Sequence, residues 1–389
     1  MYNIKTLNNI SSKGLERLSS NLFAVDEEGA QPDGILVRSA AMQDMALPES
    51  LLGIARAGAG VNNIPVDKCS EAGIVVFNTP GANANAVKEL VVCALMLGSR
   101  DIVGGIDWCR QNAEDENIAK TVEKAKKAFA GREVMGKKLG VIGLGAIGAQ
   151  VANTAIDLGM DVYGYDPYVS VGAAWNIASA VHYVKNLDDL LATCDYLTIH
   201  VPAMEGTIGM IDAHACEVMK DGVVFLNFSR DTLVNNEAMA AALKSGKVHA
   251  YLTDFPTPEV MHMDGAIVLP HLGASTAEAE DNCAMMAVRE LMDYLENGTI
   301  KNSVNYPACD MGPVREGTSR VAVMHANVPN MISQITNAFG DEGINISDMT
   351  NKARGEHAYT LLDLDQPVTE AALTKLASID GVRRVRQVK

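Results

Sequence analysis

A glycine-rich turn between an apolar strand and a helix constrains the fold of this chain more than any other feature. Residues 138–144 (KLGVIGL) have the composition of a buried strand, and residues 145–159 (GAIGAQVANTAIDLG) have helical spacing. Gly143, Gly145 and Gly148 lie where the strand passes into the helix, in the spacing GxGxxG. This context indicates a dinucleotide site: the first glycine permits a tight turn, the second lets the backbone approach a pyrophosphate, and the third lets helix and strand pack closely.

The residues around this turn also predict which dinucleotide binds. The backbone N–H groups of Ala146 and Ile147 open the helix and are expected to point at the phosphates. Asp166 ends the next strand (MDVYGYD), where a carboxylate accepts hydrogen bonds from the two ribose hydroxyls of adenosine. Residues 165–170 (YDPYVS) contain no Arg or Lys to meet a 2′-phosphate, so the sequence predicts NAD rather than NADP.

Short apolar strands alternate with helical stretches along most of the chain. Segments such as GILVRSA (34–40) and GIVVFNTPG (73–81) are typical of strands that run into turns, and Ala84–Ser99 has helical spacing. A second series starts at Lys138 and continues through YLTIHVP, GVVFLNFS, HAYLTDF and AIVLPHLG. This alternation predicts an α/β fold with two parallel-sheet domains, Rossmann-like or flavodoxin-like, with helices on both faces of each sheet.

After residue 317 the pattern changes to strand, helix, strand, strand, helix, strand. This βαββαβ order predicts a ferredoxin-like C-terminal domain. An amphipathic helix expected at Thr276–Leu295 would return the chain to the first domain, and the irregular residues 306–317 would form a linker. The predicted organisation is therefore a discontinuous substrate-binding domain over 1–97 and 275–305, a dinucleotide-binding domain over 98–274, the linker, and the C-terminal domain over 318–389.

Composition and charge exclude several classes of partner. Lys and Arg total 32 against 48 Asp and Glu, a formal net charge of −16, which would repel nucleic acids and anionic membranes. The apolar run Leu90–Leu97 is too short to cross a bilayer, and the N-terminal MYNIKTLNNI lacks the apolar core of a signal peptide. The 7 cysteines are never spaced as CxxC, which predicts reduced thiols in a cytoplasmic protein without a metal site or disulfides.

Three ionisable residues follow later strands of the second series: Arg230 in LNFSRD, Glu259 in TDFPTPE and His271 in LPHLGAS. Ligands gather at the carboxyl ends of strands in an open α/β sheet, so we expect these side chains at the dinucleotide site. Hydride transfer there needs a cation for a substrate carboxylate, a group of near-neutral pKa for the hydroxyl proton, and a carboxylate that orients that group. Arg230, His271 and Glu259 are candidates for these three roles in that order.

The motifs GLGAIG…YDP, NFSR, TDFPTPE and PHLGAST follow one another as in the D-2-hydroxyacid dehydrogenase family, which the sequence resembles. The resemblance implies that Arg230, Glu259 and His271 are catalytic, and that Asp254 lies near the nicotinamide carboxamide. The chain departs from the family pattern at Asp231, where Gly usually follows the arginine. The further residues implied to line NAD are Phe228, Ser229, Gly273 and Ala274.

The first domain is similar to that of family members that oxidise 3-phospho-D-glycerate to 3-phosphohydroxypyruvate. The similarity rests on LVRSA and ARAGAGVNNI, and it implies this substrate and the first step of the phosphorylated route to L-serine. Guanidinium groups fixed in a cleft would attract a small dianionic acid even on an acidic protein. The implied substrate-binding residues are Arg38, Ser39, Arg56, Gly58 and Gly60.

The C-terminal stretch MHANVPN…GINISDM resembles the ACT domain, a small amino-acid-binding module. By that resemblance His325, Asn327 and Asn345 would bind the amino and carboxyl groups of L-serine, which would act as a feedback effector. The family also implies a homodimer or a homotetramer.

Two other functions stay open at this point. One is a general D-2-hydroxyacid reductase, or one acting on hydroxypyruvate or glyoxylate, which would not need both Arg38 and Arg56. The other is a non-catalytic NAD-sensing protein similar to corepressors of this fold. The intact set of Arg230, Glu259 and His271 argues against that second alternative.

Overall fold

A computed structural model of the chain describes residues 1–388, which divide into two compact units. The first unit joins Met1–Asn83 to the residues from Ala277 onward, and the second unit is Ala84–Thr276.

The first unit contains a five-stranded parallel sheet in the flavodoxin-like order β2-β1-β3-β4-β5. Its central strands are short, almost continuously apolar runs, as expected for strands covered on both faces. Helix α11 packs on β4 and α1 packs on α11. The elements are β1 Tyr2–Leu7, α1 Ser12–Leu15, β2 Phe23–Val25, β3 Gly34–Val37, β4 Gly53–Arg56, α2 Val66–Glu71, β5 Val75–Phe77 and α11 Ala277–Asn297.

The second unit contains a seven-stranded parallel sheet in the order β12-β11-β10-β9-β6-β7-β8. The chain starts in the middle, winds outward through β7 and β8, and then returns to wind the other way from β9, which is the doubly wound Rossmann order. The order reverses between β6 and β9, where such sheets bind ligands. The strands are β6 Lys138–Ile142, β7 Asp161–Tyr165, β8 His182–Tyr183, β9 Tyr196–Ile199, β10 Val223–Asn227, β11 Val248–Thr253 and β12 Ala266–Val268.

Helices cover both faces of this second sheet, as the alternating sequence pattern predicts. The helices of the second unit are α3 Ala84–Ser99, α4 Ile102–Gln111, α5 Ile118–Ala125, α6 Ala146–Asp157, α7 Val171–Ala174, α8 Leu187–Thr193, α9 Ala213–Val218 and α10 Asn236–Ser245, with short 3-10 turns at Lys126–Ala128, Asp231–Leu233 and Val260–His262. None of the helices in residues 1–388 combines the length and the apolar character that a bilayer crossing needs.

Helix α3 belongs to the second unit, whereas the sequence placed residues up to 97 in the first domain. Leu95 is fully buried in one apolar cluster with Leu226 of β10. A Cβ on Gly98 would lie 2.7 Å from a methyl of Val224, so the end of the helix lies close against the sheet. The division between the units therefore falls before α3 rather than after it, because the apolar face of α3 packs on β10 and α6.

The C-terminal part of the first unit is a four-stranded antiparallel sheet in the order β14-β15-β13-β16. Its first and third strands lie at the centre, which is the ferredoxin-like arrangement predicted for βαββαβ. The elements are β13 Ser319–Ala326, α12 Met331–Gly340, β14 Ile346–Arg354, β15 His357–Leu364, α13 Glu370–Ala377 and β16 Val382–Gln387.

This C-terminal sheet shares an apolar core with the five-stranded sheet. Met324 and Tyr359 lie in one buried cluster with Leu36 of β3 and Leu291 of α11. Arg386 of β16 donates from Nη2 to Tyr294 O of α11 at 3.1 Å, and its guanidinium lies 4.8 Å from the Tyr294 ring centroid. A cation at the carbonyl end of a helix complements the helix dipole, so the C-terminal domain caps α11.

The segment predicted as a linker, residues 306–317, is irregular, and its first residues are closely packed. The Tyr306 side chain is fully buried, and its hydroxyl donates to Ser70 O at 2.7 Å. Cys309 and Ile300 exchange two backbone hydrogen bonds of 2.8 and 3.0 Å. Residues 306–309 are therefore fixed against the first unit, whereas residues 310–317 are exposed or half-buried.

Candidate active site

The glycine turn after β6 has the geometry that the sequence predicts for a dinucleotide site. Gly143 has φ +89°, and a Cβ there would lie 2.6 Å from His200 O. A Cβ on Gly148 would lie 1.9 Å from Gly143 O, so the packing of α6 against the turn depends on glycine. A Cβ on Gly145 would meet no atom within 4 Å, which leaves open space at the start of α6.

The start of α6 and this open space together fit a pyrophosphate. The helix begins at Ala146 and has no side-chain cap, so the N–H groups of Ala146 and Ile147 lack partners within the helix. Such groups bind anions, and the helix dipole adds to the attraction.

Asp166 lies directly after β7 and beside the glycine turn. Its Oδ2 accepts a hydrogen bond from the Leu144 N–H at 2.8 Å, and its Oδ1 accepts one from the Tyr168 N–H at 2.8 Å. Because each carboxylate oxygen can accept two hydrogen bonds, the fixed carboxylate retains acceptor sites for ribose hydroxyls. The structure thus places Asp166 and the glycine turn together, as NAD binding requires.

Phe228 and Ser229, predicted to line NAD, direct their side chains into the protein. Phe228 is buried in the apolar cluster beneath β10, and Ser229 Oγ donates to Ile199 O at 2.8 Å. Any contact of these two residues with NAD would therefore come from their backbone.

The carboxylate of Asp254, predicted to lie near the nicotinamide, is bonded to the turn that follows β12. Asp254 is only 2% exposed; its Oδ1 accepts from the Leu272 N–H at 2.7 Å and its Oδ2 from the Gly273 N–H at 2.6 Å. A Cβ on Gly273 would lie 3.1 Å from Asp254 Oδ2, so glycine favours this close approach. Ala274 belongs to the same turn, which Asp254 therefore holds in place.

The three predicted catalytic residues follow three neighbouring strands, β10, β11 and β12, and all three are exposed. Arg230 Nη1 donates to Ser229 O at 2.5 Å. His271 has φ +56°, which is uncommon for a residue with a side chain, and its ring meets Phe255 edge-on with 5.2 Å between centroids. Backbone strain of this kind clusters at functional positions.

Glu259 and His271 are not hydrogen-bonded to each other in the described part of the chain, residues 1–388. Instead the Glu259 carboxylate accepts hydrogen bonds from its own N–H and from Thr257, which lower the pKa of Glu259. Its side chain lines a shallow groove that also contains Lys244 and His262. The orienting role of Glu259 toward His271 therefore stays a prediction.

The two predicted substrate arginines are adjacent at the carboxyl ends of β3 and β4. Arg56 Nε donates to Arg38 O at 3.0 Å. Arg38 Nη2 lies 2.6 Å from Glu280 Oε1 in the first turn of α11, and the two side chains are 40% and 43% exposed. Arg38 therefore already has a carboxylate partner, which the sequence did not reveal because Glu280 is remote along the chain.

The turn after β4 brings the other predicted substrate residues close to Arg56. A Cβ on Gly58 would lie 2.5 Å from Arg56 Nη1, so the guanidinium lies against bare backbone. Gly60 belongs to the same turn. Ser39 follows Arg38, and its N–H donates to Asn8 Oδ1 at 3.0 Å.

The side chain of His325, which is predicted to bind an effector, is enclosed in the C-terminal sheet. His325 is 2% exposed within β13. Its Nδ1 lies 2.8 Å from the carbonyl oxygen of Ala326, and its Nε2 lies 2.9 Å from Thr360 Oγ1. Both ring nitrogens are thus engaged inside the sheet.

The two predicted effector asparagines are exposed, but each is already bonded to a neighbour. Asn327 Nδ2 donates to Gly355 O at 3.0 Å, and Asn345 Nδ2 donates to the Asp365 carboxylate. Both amides would exchange these local bonds to bind a ligand.

His200, which the sequence analysis missed, lies directly after β9 at the point where the strand order reverses. Its Nε2 lies 2.9 Å from Thr198 Oγ1, and its buried Nδ1 has no partner within residues 1–388. Burial lowers the pKa of His200 to about 3. The sequence signal that predicted Arg230, a polar residue directly after a buried strand, could also have identified His200.

Comparison with known proteins agrees with this geometry. A family model described as "D-isomer specific 2-hydroxyacid dehydrogenase, NAD binding domain" matches residues 94–273. The chain is 32% identical over 338 residues to D-3-phosphoglycerate dehydrogenase of Haemophilus influenzae, covering 84% of this chain and 78% of the relative. It is 30% identical over 403 residues to the Escherichia coli (strain K12) D-3-phosphoglycerate dehydrogenase, covering 98% of this chain and 94% of the relative.

A solved structure, NAD+-bound 3-phosphoglycerate dehydrogenase of Entamoeba histolytica, matches with a TM-score of 0.60 and 25% identity, covering 78% of this chain and 98% of that one. The fold and the dinucleotide site thus define an NAD-binding oxidoreductase of the D-isomer specific 2-hydroxyacid dehydrogenase class, which confirms the predictions of an enzyme and of NAD. Within that class, the chain belongs to the D-3-phosphoglycerate dehydrogenase family.

Proposed function

We propose that this protein oxidises 3-phospho-D-glycerate to 3-phosphohydroxypyruvate with NAD, the first step of the phosphorylated route to L-serine. The observation that carries the proposal is the pair of arginines at the carboxyl ends of β3 and β4, where Arg56 Nε donates to Arg38 O. A protein of net charge −16 repels a phosphorylated acid unless local cations hold it. The relatives from H. influenzae and E. coli bear the name of this activity.

Each of the predicted site residues has its own role in the proposed reaction. Arg38 and Arg56 bind the anionic ends of the substrate, and Arg230 binds its carboxylate and polarises the C2 oxygen. His271 takes the proton of the C2 hydroxyl while the C2–H bond breaks and the C2–O bond becomes a carbonyl. Bound NAD supplies the acceptor for the departing hydride. Glu259 is proposed to orient His271 for this step.

The proposed substrate is tested by NADH absorbance with 3-phospho-D-glycerate, D-glycerate, D-lactate and glycolate, each with NAD and NADP. We expect turnover with NAD and a strong preference for the phosphorylated acid. Arg56→Ala should raise the KM for 3-phospho-D-glycerate about tenfold or more and that for D-glycerate less. Arg110→Ala, which removes an exposed arginine, is the matched control. Equal rates on all four acids would favour a general D-2-hydroxyacid reductase instead.

The role of His271 is tested separately by His271→Asn. Loss of the group that moves the proton should lower kcat about a hundredfold or more while NAD binding, followed by fluorescence titration, stays intact. His249→Asn, which changes an exposed histidine of β11, serves as the control. Unchanged turnover in His271→Asn would remove the assigned role.

We also infer that the C-terminal domain is an ACT-like sensor of L-serine, with Asn327 and Asn345 as ligands and His325 as a structural residue. The ferredoxin-like topology and the exposure of both asparagines support this inference. Initial rates measured against L-serine concentration should fall for the wild type, and Asn327→Ala should require more serine. Flat curves for both proteins would exclude the effector.

We also propose that the protein is cytoplasmic and forms a homodimer or a homotetramer. Seven unpaired cysteines support a reducing compartment. Light scattering on the purified protein would give its mass and would exclude these assemblies if it found a monomer.

A further inference from the structure

Glu290 is a buried acid of α11 that the proposed reaction does not use. It is 7% exposed, and its Oε1 accepts a hydrogen bond from Asn302 Nδ2 at 2.6 Å. Its Oε2 is buried and has no partner within residues 1–388. A buried carboxyl with one unpaired oxygen lowers the stability of the folded state, so we expect a functional reason for its presence.

The partner of Glu290 belongs to a segment that braces the end of β5. Residues 302–305 run beside this strand, and the Val304 N–H donates to Val76 O at 2.9 Å. Asn302 O accepts a hydrogen bond from the Asn78 N–H at 3.3 Å. Asn302 has φ +53°, a conformation that its side-chain bond to Glu290 helps to hold.

The residues after β5 are in turn hydrogen-bonded to the predicted substrate-binding loop, which is the turn after β4 that contains Gly58 and Gly60. Asn78 Nδ2 donates to Ala59 O at 2.6 Å, and the Thr79 N–H donates to Gly58 O at 3.1 Å. Gly58 is the residue against which the Arg56 guanidinium lies. Hydrogen bonds therefore run without a break from Glu290, through Asn302 and the turn at 78–79, to the backbone beneath Arg56.

We propose that Glu290 is a positioning residue for substrate binding: acting through Asn302, it fixes the loop that sets the Arg56 guanidinium. The proposal deepens the proposed function and rests on it, because it takes Arg56 as a ligand of the substrate. It assigns a role in substrate affinity to a residue that touches neither substrate nor NAD.

The protonation state of Glu290 changes the strength of its hydrogen bond with Asn302. Burial raises the pKa of Glu290 to about 7, and Arg289 on the same helix opposes that rise. The facing segment offers the neutral Asn302, and Arg354 reaches its backbone at Ser303 O. Because a hydrogen bond to an ionised carboxylate is stronger than one to a neutral carboxyl, Asn302 is held more firmly as pH rises through this range.

The first test removes the donor with Asn302→Gly, since glycine adopts the same positive φ without strain. We expect the KM for 3-phospho-D-glycerate to rise about three- to tenfold, with kcat and the KM for NAD within about twofold of the wild type. Asn330→Gly is the matched control, because Asn330 also has a positive φ, +69°, and its side chain makes no capping bond. An unchanged KM in Asn302→Gly would overturn the proposal.

The second test follows the KM from about pH 6 to pH 8 in the wild type and in Glu290→Gln, which keeps the acceptor but cannot ionise. The substrate phosphate titrates equally for both proteins, so the ratio of the two KM values isolates Glu290. We expect the wild-type KM to fall about threefold relative to Glu290→Gln as pH rises. Parallel profiles would exclude a role for the carboxylate. If the wild type turns over no phosphorylated acid, the proposed function has failed instead.

Discussion

Asp254 shows how one side chain can support a proposed catalytic residue, His271, to which it is not bonded. Its two oxygens accept hydrogen bonds from successive backbone N–H groups, those of Leu272 and Gly273, immediately after His271. The buried carboxylate therefore holds His271 in its positive-φ conformation. On this geometry Asp254 positions the histidine.

Replacing Asp254 by Asn is expected to loosen this turn. An amide has only one acceptor oxygen, so one N–H of the turn would lose its partner and face an NH2 group. We expect kcat to fall about tenfold and the free energy of unfolding to fall by about 1–3 kcal/mol, with a small change in the KM for NAD. Steady-state kinetics and urea unfolding measure these effects, with the exposed Asp264→Asn as control. A large rise in the NAD KM at unchanged kcat would instead favour contact with the carboxamide.

Sequence reasoning proposed single residues for the site but did not reveal their partners. Arg230 and His271 were predicted because polar residues after buried parallel strands meet at one edge of a sheet. The pairing of Arg38 with Glu280 and the engagement of His325 by Thr360 depend on contacts remote along the chain. A residue's chemical type does not reveal such partners, so the effector-binding role of His325 stays a prediction.

At the scale of elements, two glycines of the same turn, Gly145 and Gly148, are expected to differ in their effects on stability and on NAD binding. Gly145→Ala should leave the melting temperature nearly unchanged, because its Cβ meets no protein atom and its φ of −70° suits alanine. It should nevertheless raise the KM for NAD, because the methyl group occupies the space expected for the pyrophosphate. Gly148→Ala should lower both stability and NAD affinity, since its Cβ would lie 1.9 Å from Gly143 O. Equal melting temperatures for the two variants would contradict this distinction.

Glu290 of helix α11 is expected to make the free energy of unfolding depend on pH. Burial raises the pKa of Glu290 from its ordinary 4.5 to about 7, so the folded chain holds the proton more tightly than the unfolded chain. The resulting stabilisation is fully present below about pH 4.5 and is lost as pH rises through about 7. We expect the free energy of unfolding of the wild type to fall relative to that of Glu290→Gln between about pH 5 and pH 8. Urea unfolding measures this difference, and the exposed Glu342→Gln should track the wild type.

The sequence predicted most elements because their periodicity is local. Helix α3 was predicted over the range that the structure gives, Ala84–Ser99. Its assignment to the first domain differed from the structure, because a helical period shows that an apolar face exists but not which sheet covers it.

At the scale of the whole molecule, the C-terminal domain is part of the first unit's core rather than an appended module. Arg320 of β13 is fully buried with Asp363 of β15, with Nε and Oδ1 2.6 Å apart. Arg320 also donates from Nη1 to Asn297 O at the end of α11, at 2.9 Å. The βαββαβ order was readable from the sequence, but this attachment depends on a buried arginine, paired with an acid inside the domain, and sequence patterning treats both as surface residues.

The buried pair makes a quantitative prediction. Asp363→Ala leaves an unpaired guanidinium in the core and should lower the free energy of unfolding by about 3–5 kcal/mol. Lys375→Ala removes a pair with Asp341 whose side chains are 42% and 63% exposed, and it should cost about 1 kcal/mol or less. Chemical denaturation of both variants measures the contrast. Similar losses would show that the Arg320–Asp363 pair is no more important than one at the surface.

The pairing of Arg38 with Glu280 has a consequence for how an anion reaches the first sheet. If Arg38 binds the substrate as proposed, substrate binding and release are exchange reactions in which an anionic group of the substrate and the Glu280 carboxylate replace each other on Arg38. An ion pair this exposed is worth about 1 kcal/mol or less, so the competition weakens affinity only a few-fold. Glu280, once displaced, remains in the first turn of α11, where the helix dipole favours a negative charge. Without substrate, the charge of the Arg38 guanidinium is thus neutralised by Glu280.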